Sequence, residues 1–287
     1  MFYHFTDCTT EMNKITTRQI FKNACELVVS SGKYVKSAHI ASTKPSSDNK
    51  ESFADLVTEY DRGTEKLLIG QLSRCYPAHK FIAEEMVADG GECNLTNEPT
   101  WIIDPIDGTT NFVHGFPAYC ISVGFFVEKD PVLGIVYDIP NDKIYSAIKG
   151  EGAFCNGRVI KCSSTTDLNS SLLAAGFGPQ RKTDFLRFKM GIMNTLVEKC
   201  HGIRCIGSAA LDICHVAAGY IDANVQFGPH IWDYAAAHLI ALEAGAVCSA
   251  PNGQPMNLLS RKLLVCSTDE LRDQIVPLLG DFPLPHD

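Results

Sequence analysis

WIIDPIDGTTNF, residues 101–112, ends an apolar run on two aspartates three positions apart, then adds a glycine and two threonines. Residues 101–104 read as a buried strand, which puts Asp104 and Asp107 at its carboxyl end, where open α/β sheets place their ligands. Carboxylates that close repel, so one must hold a proton or a cation must lie between them. Mg²⁺ suits such a place, because it takes oxygen ligands, commonly one or two carboxylates with waters and phosphate oxygens. Pro105 stiffens the turn between the aspartates. Gly108, Thr109 and Thr110 then open a helix whose free N–H groups and positive dipole end face the same spot, a cradle for phosphate. Thr109 adds a hydroxyl beside the metal. Taken singly, Asp107 reads as a helix cap and Asp104 as a strand end.

Two other segments repeat the theme. FIAEE, 81–85, is a short apolar strand ending on Glu84 and Glu85, and WDYAAA, 232–237, sets Asp233 at the start of an alanine-rich helix. Each alone reads as a solvated turn or a helix N-cap. Together, Glu84, Asp104, Asp107 and Asp233 suit one oxygen-rich site for more than one metal. In two-metal phosphoryl chemistry the ions lie about 3.5–4 Å apart and clamp the attacking and leaving oxygens.

The rest of the chain sets limits. Its 287 residues, 45% of them hydrophobic, suit one large domain or two joined lobes. With 25 Lys and Arg against 33 Asp and Glu, a net charge of −8, it has no basic concentration that nucleic acid would require. No apolar run approaches the ~18–20 residues of a membrane helix, and the opening MFYHFTDCTTEMNK lacks a secretory pattern. The 12 cysteines are scattered without a C-x-x-C pair, which fits reduced thiols in a cytoplasmic protein.

Apolar periodicity predicts a helix over 12–42, a loop over 42–52, a helix to about Arg74, and a loop over 87–99. Three β-rich segments after the opening motif predict an antiparallel meander. From residue 170 strands alternate with helices, including one over 183–199 and one stopped by Gly245, as in α/β layers.

DPIDGTTNF (104–112), FIAEE and WDYAAAHLIALEAGA (232–246) resemble the signatures of the inositol monophosphatase family. The likeness runs from ADLVTEYD (54–61) through HGIRCIGSAALDICHVAAGYIDA (201–223), nearly the whole chain. It implies a Mg²⁺-dependent, lithium-sensitive phosphatase with a layered αβαβα sandwich of mixed α/β class. It further implies an N-terminal lobe, 1–160, with most metal ligands and a C-terminal lobe, 161–287, with substrate contacts and Asp233, joined in one catalytic unit. A homodimer and two or three Mg²⁺ per site follow from the same resemblance. So does a ligand set of Glu84, Asp104, Asp107, Asp233 and the carbonyl of Ile106. Thr109 paired with Asp61, with Glu84 as a further catalytic group, would activate water for direct attack, without a phosphoenzyme. Spacing alone places Asp61 on a helix surface. Lys50 matches a lysine near the metals, and reads equally as a solvated loop charge.

The implied substrate contacts are Asp107, Gly108, Thr109, Gly207, Ser208, Ala209, Gln226 and Asp233; Ser208 also reads as an N-cap. Two positions depart from the family pattern: Gln226 stands where a glutamate is usual, and Pro179 where a serine is. Gln226 can still bond a sugar hydroxyl but loses a charge-assisted bond. His114 and His230 read as structural histidines. The implied reaction is hydrolysis of an inositol monophosphate to inositol and phosphate. Fructose-bisphosphatase, histidinol-phosphate phosphatase and bisphosphate nucleotidase are the alternatives within the superfamily, and the compact region 86–101 disfavours the last. A non-catalytic binding protein is a further alternative, against which the intact acidic set argues.

Overall fold

The computed structural model describes residues 16–41, 46–50 and 53–287. Two helices come first, α1 (Thr17–Ala41) and α2 (Glu59–Cys75), separated by a short hairpin of β1 (Asp48–Asn49) and β2 (Leu56–Val57). The helix expected over 12–42 starts at Thr17, and residues 12–15 and 42 lie outside the described residues. The hairpin corrects part of the loop expected over 42–52: Lys50 N–H donates to Asp55 O at 2.7 Å, and two residues on each side then pair.

A seven-stranded sheet follows. It comprises β3 (Lys80–Ala83), β4 (Thr100–Asp107), β5 (Cys120–Val127), β6 (Asp130–Asp138), β7 (Lys143–Ile148), β8 (Ala153–Cys155) and β9 (Arg158–Ile160), in sequence order across the sheet. Only β3 and β4 pair in parallel. The remainder is the expected antiparallel meander, now with five strands after the motif. Two short helices interrupt it, α3 (Glu84–Ala88) and α4 (Thr109–His114).

The second sheet has five strands. Its elements in chain order are β10 (Leu172–Ala175), α5 (Thr183–Val197), β11 (Gly202–Arg204), α6 (Ala209–Ala217), β12 (Ala223–Phe227), α7 (Ile231–Glu243), β13 (Val247–Ser249), β14 (Lys262–Cys266) and α8 (Asp269–Ile275). The sheet order is β11-β10-β12-β14-β13; the first three strands are parallel, and β14 runs antiparallel to both neighbours.

Packing produces the five layers. α1 and α2 cover one face of the seven-stranded sheet through Ala24, Val28, Leu68, Trp101, Ile121 and Tyr137. α6 and α7 fill the space between the sheets, where Leu211, Ile213 and Ile240 meet Val136 and Tyr145 on one side and Leu263 and Val265 on the other. α5 and α8 close the outer face of the second sheet. The expected αβαβα sandwich is what forms. α7 is apolar nearly all round because it is buried on both sides. It also sits unusually low on β6: a Cβ at Gly134 would fall 2.3 Å from the Ala236 carbonyl oxygen. That close approach brings Asp233, at the start of α7, towards the end of β4.

Three local expectations are corrected. Glu84 and Glu85 do not end a strand; β3 stops at Ala83 and they form the first turn of α3. Carboxylates favour that end of a helix dipole. β4 does not stop at residue 104 but resumes to Asp107 after an irregularity between the two aspartates, where Pro105 has no N–H to give the ladder. Asp61 is not a helix-surface charge: it is 1% exposed, because it closes a capping box with Thr58 at the start of α2.

One residue contradicts its helix. The buried stripe of α5 runs through Phe185, Lys189, Ile192 and Leu196. Lys189 Nζ donates to Phe177 O at 2.8 Å and Gly176 O at 3.3 Å. Burial, with Arg181 and Arg261 nearby, pushes its pKa down to about 7. Between that value and the ordinary lysine value the unfolded chain binds a proton the folded chain lacks. This group's contribution to stability therefore rises with pH across that window, and its cost is complete below it. Lys189→Met should gain most over the wild type in Tm at about pH 6 and less at about pH 9. A Tm difference independent of pH would contradict the assignment.

Candidate metal and anion site

The irregularity in β4 turns both aspartate side chains to one place. Oxygens of Asp104, Asp107 and Asp233 all lie within 4.8 Å of one another. Asp104 Oδ1 accepts the N–H of Ile106 at 3.0 Å. Its other neighbours are acidic, and its pKa is raised first by burial and then by Glu84, Asp107 and Asp233, with a side-chain hydrogen bond to Glu84. Asp233 is raised for the same reasons, burial first, then Asp107 and Glu84. Three of the four expected carboxylates therefore converge, and Glu84 adjoins them through its hydrogen bond with Asp104.

Asp107 does not cap the helix that follows it. Gly108, at φ 95°, is the N-cap of α4. Its left-handed backbone and crowding both require glycine, since a Cβ would lie 2.9 Å from Ala118 O. Asp107 instead reaches the N-terminus of α6. Its Oδ2 accepts from Ser208 Oγ at 2.5 Å and Ala210 N at 2.7 Å, and its Oδ1 from Ala209 N at 3.3 Å. Burial raises its pKa to about 6, opposed by those three donors. Ser208 does cap α6, accepting from Leu211 N. Gly207, Ser208 and Ala209 thus adjoin the acidic centre and tie the two sheets together across it.

On the other side of β4, Thr109 Oγ1 lies 3.0 Å from Asp61 Oδ1 and 3.0 Å from Ile106 O. A hydroxyl has one proton, so it donates to only one of these at a time. Asp61 is pushed up to about 7, by burial above all and by Glu84 and Glu85, against hydrogen bonds from Thr58. Lys50 is not a solvated charge: its Nζ lies 2.8 Å from Glu84 Oε1 and 2.6 Å from Glu85 Oε1.

The residue set fits hard divalent cations. It is all oxygen, with Asp104 and Asp107 buried and Asp233 and Glu84 partly so, and its members cannot all ionise without a counter-charge. Glu84, Asp104, Asp107, Asp233 and the Ile106 carbonyl are the groups that could hold such ions. The short α4 opens beside them at Gly108 and Thr109.

Gln226 is 6% exposed and its Nε2 donates to Asp212 Oδ2 at 3.2 Å. Asp212, which the sequence reading passed over, keeps its other oxygen buried without a partner. Its pKa is raised by burial first and by Asp107 second. Glu65 was passed over as well; it accepts Glu85 N–H at 2.8 Å and is pushed up to about 7 chiefly by burial. Pro179 is exposed on the loop after β10. His114 is exposed at the end of α4, and His230 stacks on Trp232 with centroids 4.6 Å apart.

Fold and site together define an α/β protein with an acidic centre suited to divalent cations and an anion. Sequence and structure comparisons agree on its family. The profile of the inositol monophosphatase family matches residues 16–282, and the chain belongs to that family. It is 42% identical over 254 residues to human inositol monophosphatase 2, covering 88% of each chain. It is 46% identical over 239 residues to bovine inositol monophosphatase 1, covering 83% of this chain and 86% of that one. Among solved structures it resembles a staphylococcal inositol monophosphatase-1 soaked in LiCl, described as an inhibitory complex, at TM-score 0.82 and 27% identity, over 93% of this chain and 97% of that one. An inositol monophosphatase from Anabaena gives TM-score 0.77 at 30% identity, over 92% and 96% of the two chains. No helix among the described residues is long and apolar enough to cross a membrane.

Proposed function

We propose that this chain is a Mg²⁺-dependent phosphomonoesterase that hydrolyses inositol monophosphate to inositol and phosphate. The observation that carries the reading is the convergence of Asp104, Asp107 and Asp233 oxygens within 4.8 Å, next to Glu84 and the Asp61–Thr109 pair. Glu84, Asp104, Asp107, Asp233 and Ile106 O would hold two or three Mg²⁺. When bound, the ions lower the pKa of water and draw charge from the phosphate. Thr109 receives the proton of the attacking water as it passes its own to Asp61, whose Oδ1 lies 3.0 Å from the hydroxyl. The N–H groups of Gly108 and Thr109 orient the phosphate. Asp107, Gly207, Ser208, Ala209, Gln226 and Asp233 line the side where the alcohol portion lies.

The same reading treats 1–160 and 161–287 as two lobes of one catalytic unit, supported by the two sheets that Asp107 and α6 join. It takes the protein to be a cytoplasmic homodimer acting on a small phosphate monoester, with no nucleic-acid or membrane partner.

The test is a panel of inositol, sugar and nucleotide phosphates with purified protein and Mg²⁺. Inositol monophosphate should give the highest kcat/KM; a clear preference for a bisphosphate nucleotide or fructose bisphosphate would overturn the substrate assignment. Gln226→Ala should lower the preference for inositol monophosphate over a simple alkyl phosphate several-fold, since it removes a buried amide that can bond a sugar hydroxyl. An unchanged ratio removes Gln226 from substrate selection.

A further inference from the structure

After α8 the chain crosses back to the first turn of α7 and buries the carboxylate of Asp287, whose side chain is 3% exposed. Its Oδ2 accepts the N–H of Ile231 at 2.7 Å, and its Oδ1 lies 2.6 Å from His230 Nδ1. Its own N–H donates to Leu259 O at 3.0 Å. Arg261, 7% exposed, approaches Oδ1 at 3.7 Å. Arg261 Nη2 donates to Gly228 O at 2.9 Å and lies 2.9 Å from His230 Nε2.

These contacts fix a tautomer. A guanidinium has donors only, so His230 Nε2 must accept. The ring proton then sits on Nδ1 and goes to Asp287. The ring is held on both edges and stacked on Trp232, with planes 5° apart. The main-chain N–H of the same histidine donates to Asp233 Oδ2 at 2.8 Å. Asp287 thus fixes the residue that aims Asp233.

We infer that Asp287 is a positioning residue for the metal site, acting on Asp233 through His230 and Ile231. The inference rests on the reading of Asp233 as a metal ligand. A carboxylate is the group required: two donors, the Ile231 N–H and the His230 Nδ1–H, call for two acceptor oxygens beside a buried guanidinium. Asparagine supplies one acceptor oxygen and no charge. Alanine supplies neither, and leaves Arg261 buried without its counter-ion. Groups that orient metal ligands typically matter by about 10–100-fold in metal affinity or activity.

The experiment measures Mn²⁺ binding by electron paramagnetic resonance and the Mg²⁺ dependence of phosphate release for the wild type, Asp287→Asn and Asp287→Ala. Circular dichroism confirms that each is folded at the assay temperature. Asp287→Ala should raise both the Mn²⁺ Kd and the half-activating Mg²⁺ concentration about tenfold or more, with Asp287→Asn intermediate. KM for the phosphate ester at saturating Mg²⁺ should stay within about twofold, because the effect is on the metals and not on the alcohol pocket. Wild-type Mn²⁺ affinity in a folded variant overturns the inference, even if Tm falls, since that is a purely structural role. Should the alanine variant not fold, the asparagine variant carries the same test. A wild-type protein that binds no Mn²⁺ would instead sink the underlying reading of Asp233, so the two failures are separable.

Discussion

Asp104→Asn should reduce turnover by about 10³-fold or more and at the same time raise the Tm of the metal-free protein. The two effects have one cause. Asp104 is 1% exposed and surrounded by Glu84, Asp107 and Asp233. Without cations, a carboxylate there either repels its neighbours or must take a proton. Asparagine keeps an oxygen for the Ile106 N–H and turns an amide donor towards Glu84, so the metal-free fold gains. With cations the balance reverses, because a neutral amide neither neutralises nor holds them as a carboxylate does. Mg²⁺ should therefore raise the Tm of the wild type and leave the variant nearly unchanged. Calorimetry with and without Mg²⁺, beside a phosphate-release assay, measures both. A variant that loses Tm without metal, or retains wild-type turnover, contradicts the role given to Asp104.

Thr109→Ala is the second large effect. It should lower kcat by about 10²-fold or more, the scale of a lost proton-transfer group, with KM nearly constant. Thr109 Oγ1 touches Asp61 Oδ1 and Ile106 O at 3.0 Å each, so in the proposed mechanism the hydroxyl links a buried carboxyl to the reacting water. Removing the methyl should matter far less than removing the hydroxyl, and Thr109→Ser should recover most of kcat. If the alanine variant raises KM at unchanged kcat, Thr109 binds substrate and moves no proton.

Residues 101–112 were the most legible part of the chain because their chemistry is local. Two carboxylates, a proline and a glycine within five positions leave few structures that satisfy them all. The acidic set was legible too, since Glu84, Asp104 and Asp107 follow short apolar runs and Asp233 opens an alanine-rich helix. Asp61 was legible only through the family resemblance, because helical periodicity says only which face is apolar. It cannot show that a polar residue is drawn inward by a capping box at Thr58 and a hydroxyl 48 positions away. Glu84 and Glu85 were found but assigned to a strand end, since a helix of five residues is too short to leave a periodic signal. Asp212 and Asp287 carried no signal at all. Their partners, Gln226 and His230, lie 14 and 57 positions off, and only the packing of α6 and the return of the chain after α8 bring them together. The layered fold was legible in outline from the switch between meander and strand–helix alternation. The antiparallel insertion of β14 beside β12 was not, because a short apolar strand does not announce its direction.

The most direct test of the site is crystallographic. In crystals soaked with Mn²⁺, anomalous difference density should show at least two ions among Asp104, Asp107, Asp233, Glu84 and the Ile106 carbonyl, each in contact with carboxylate oxygens. Density elsewhere on the molecule, with none among these side chains, would contradict the account.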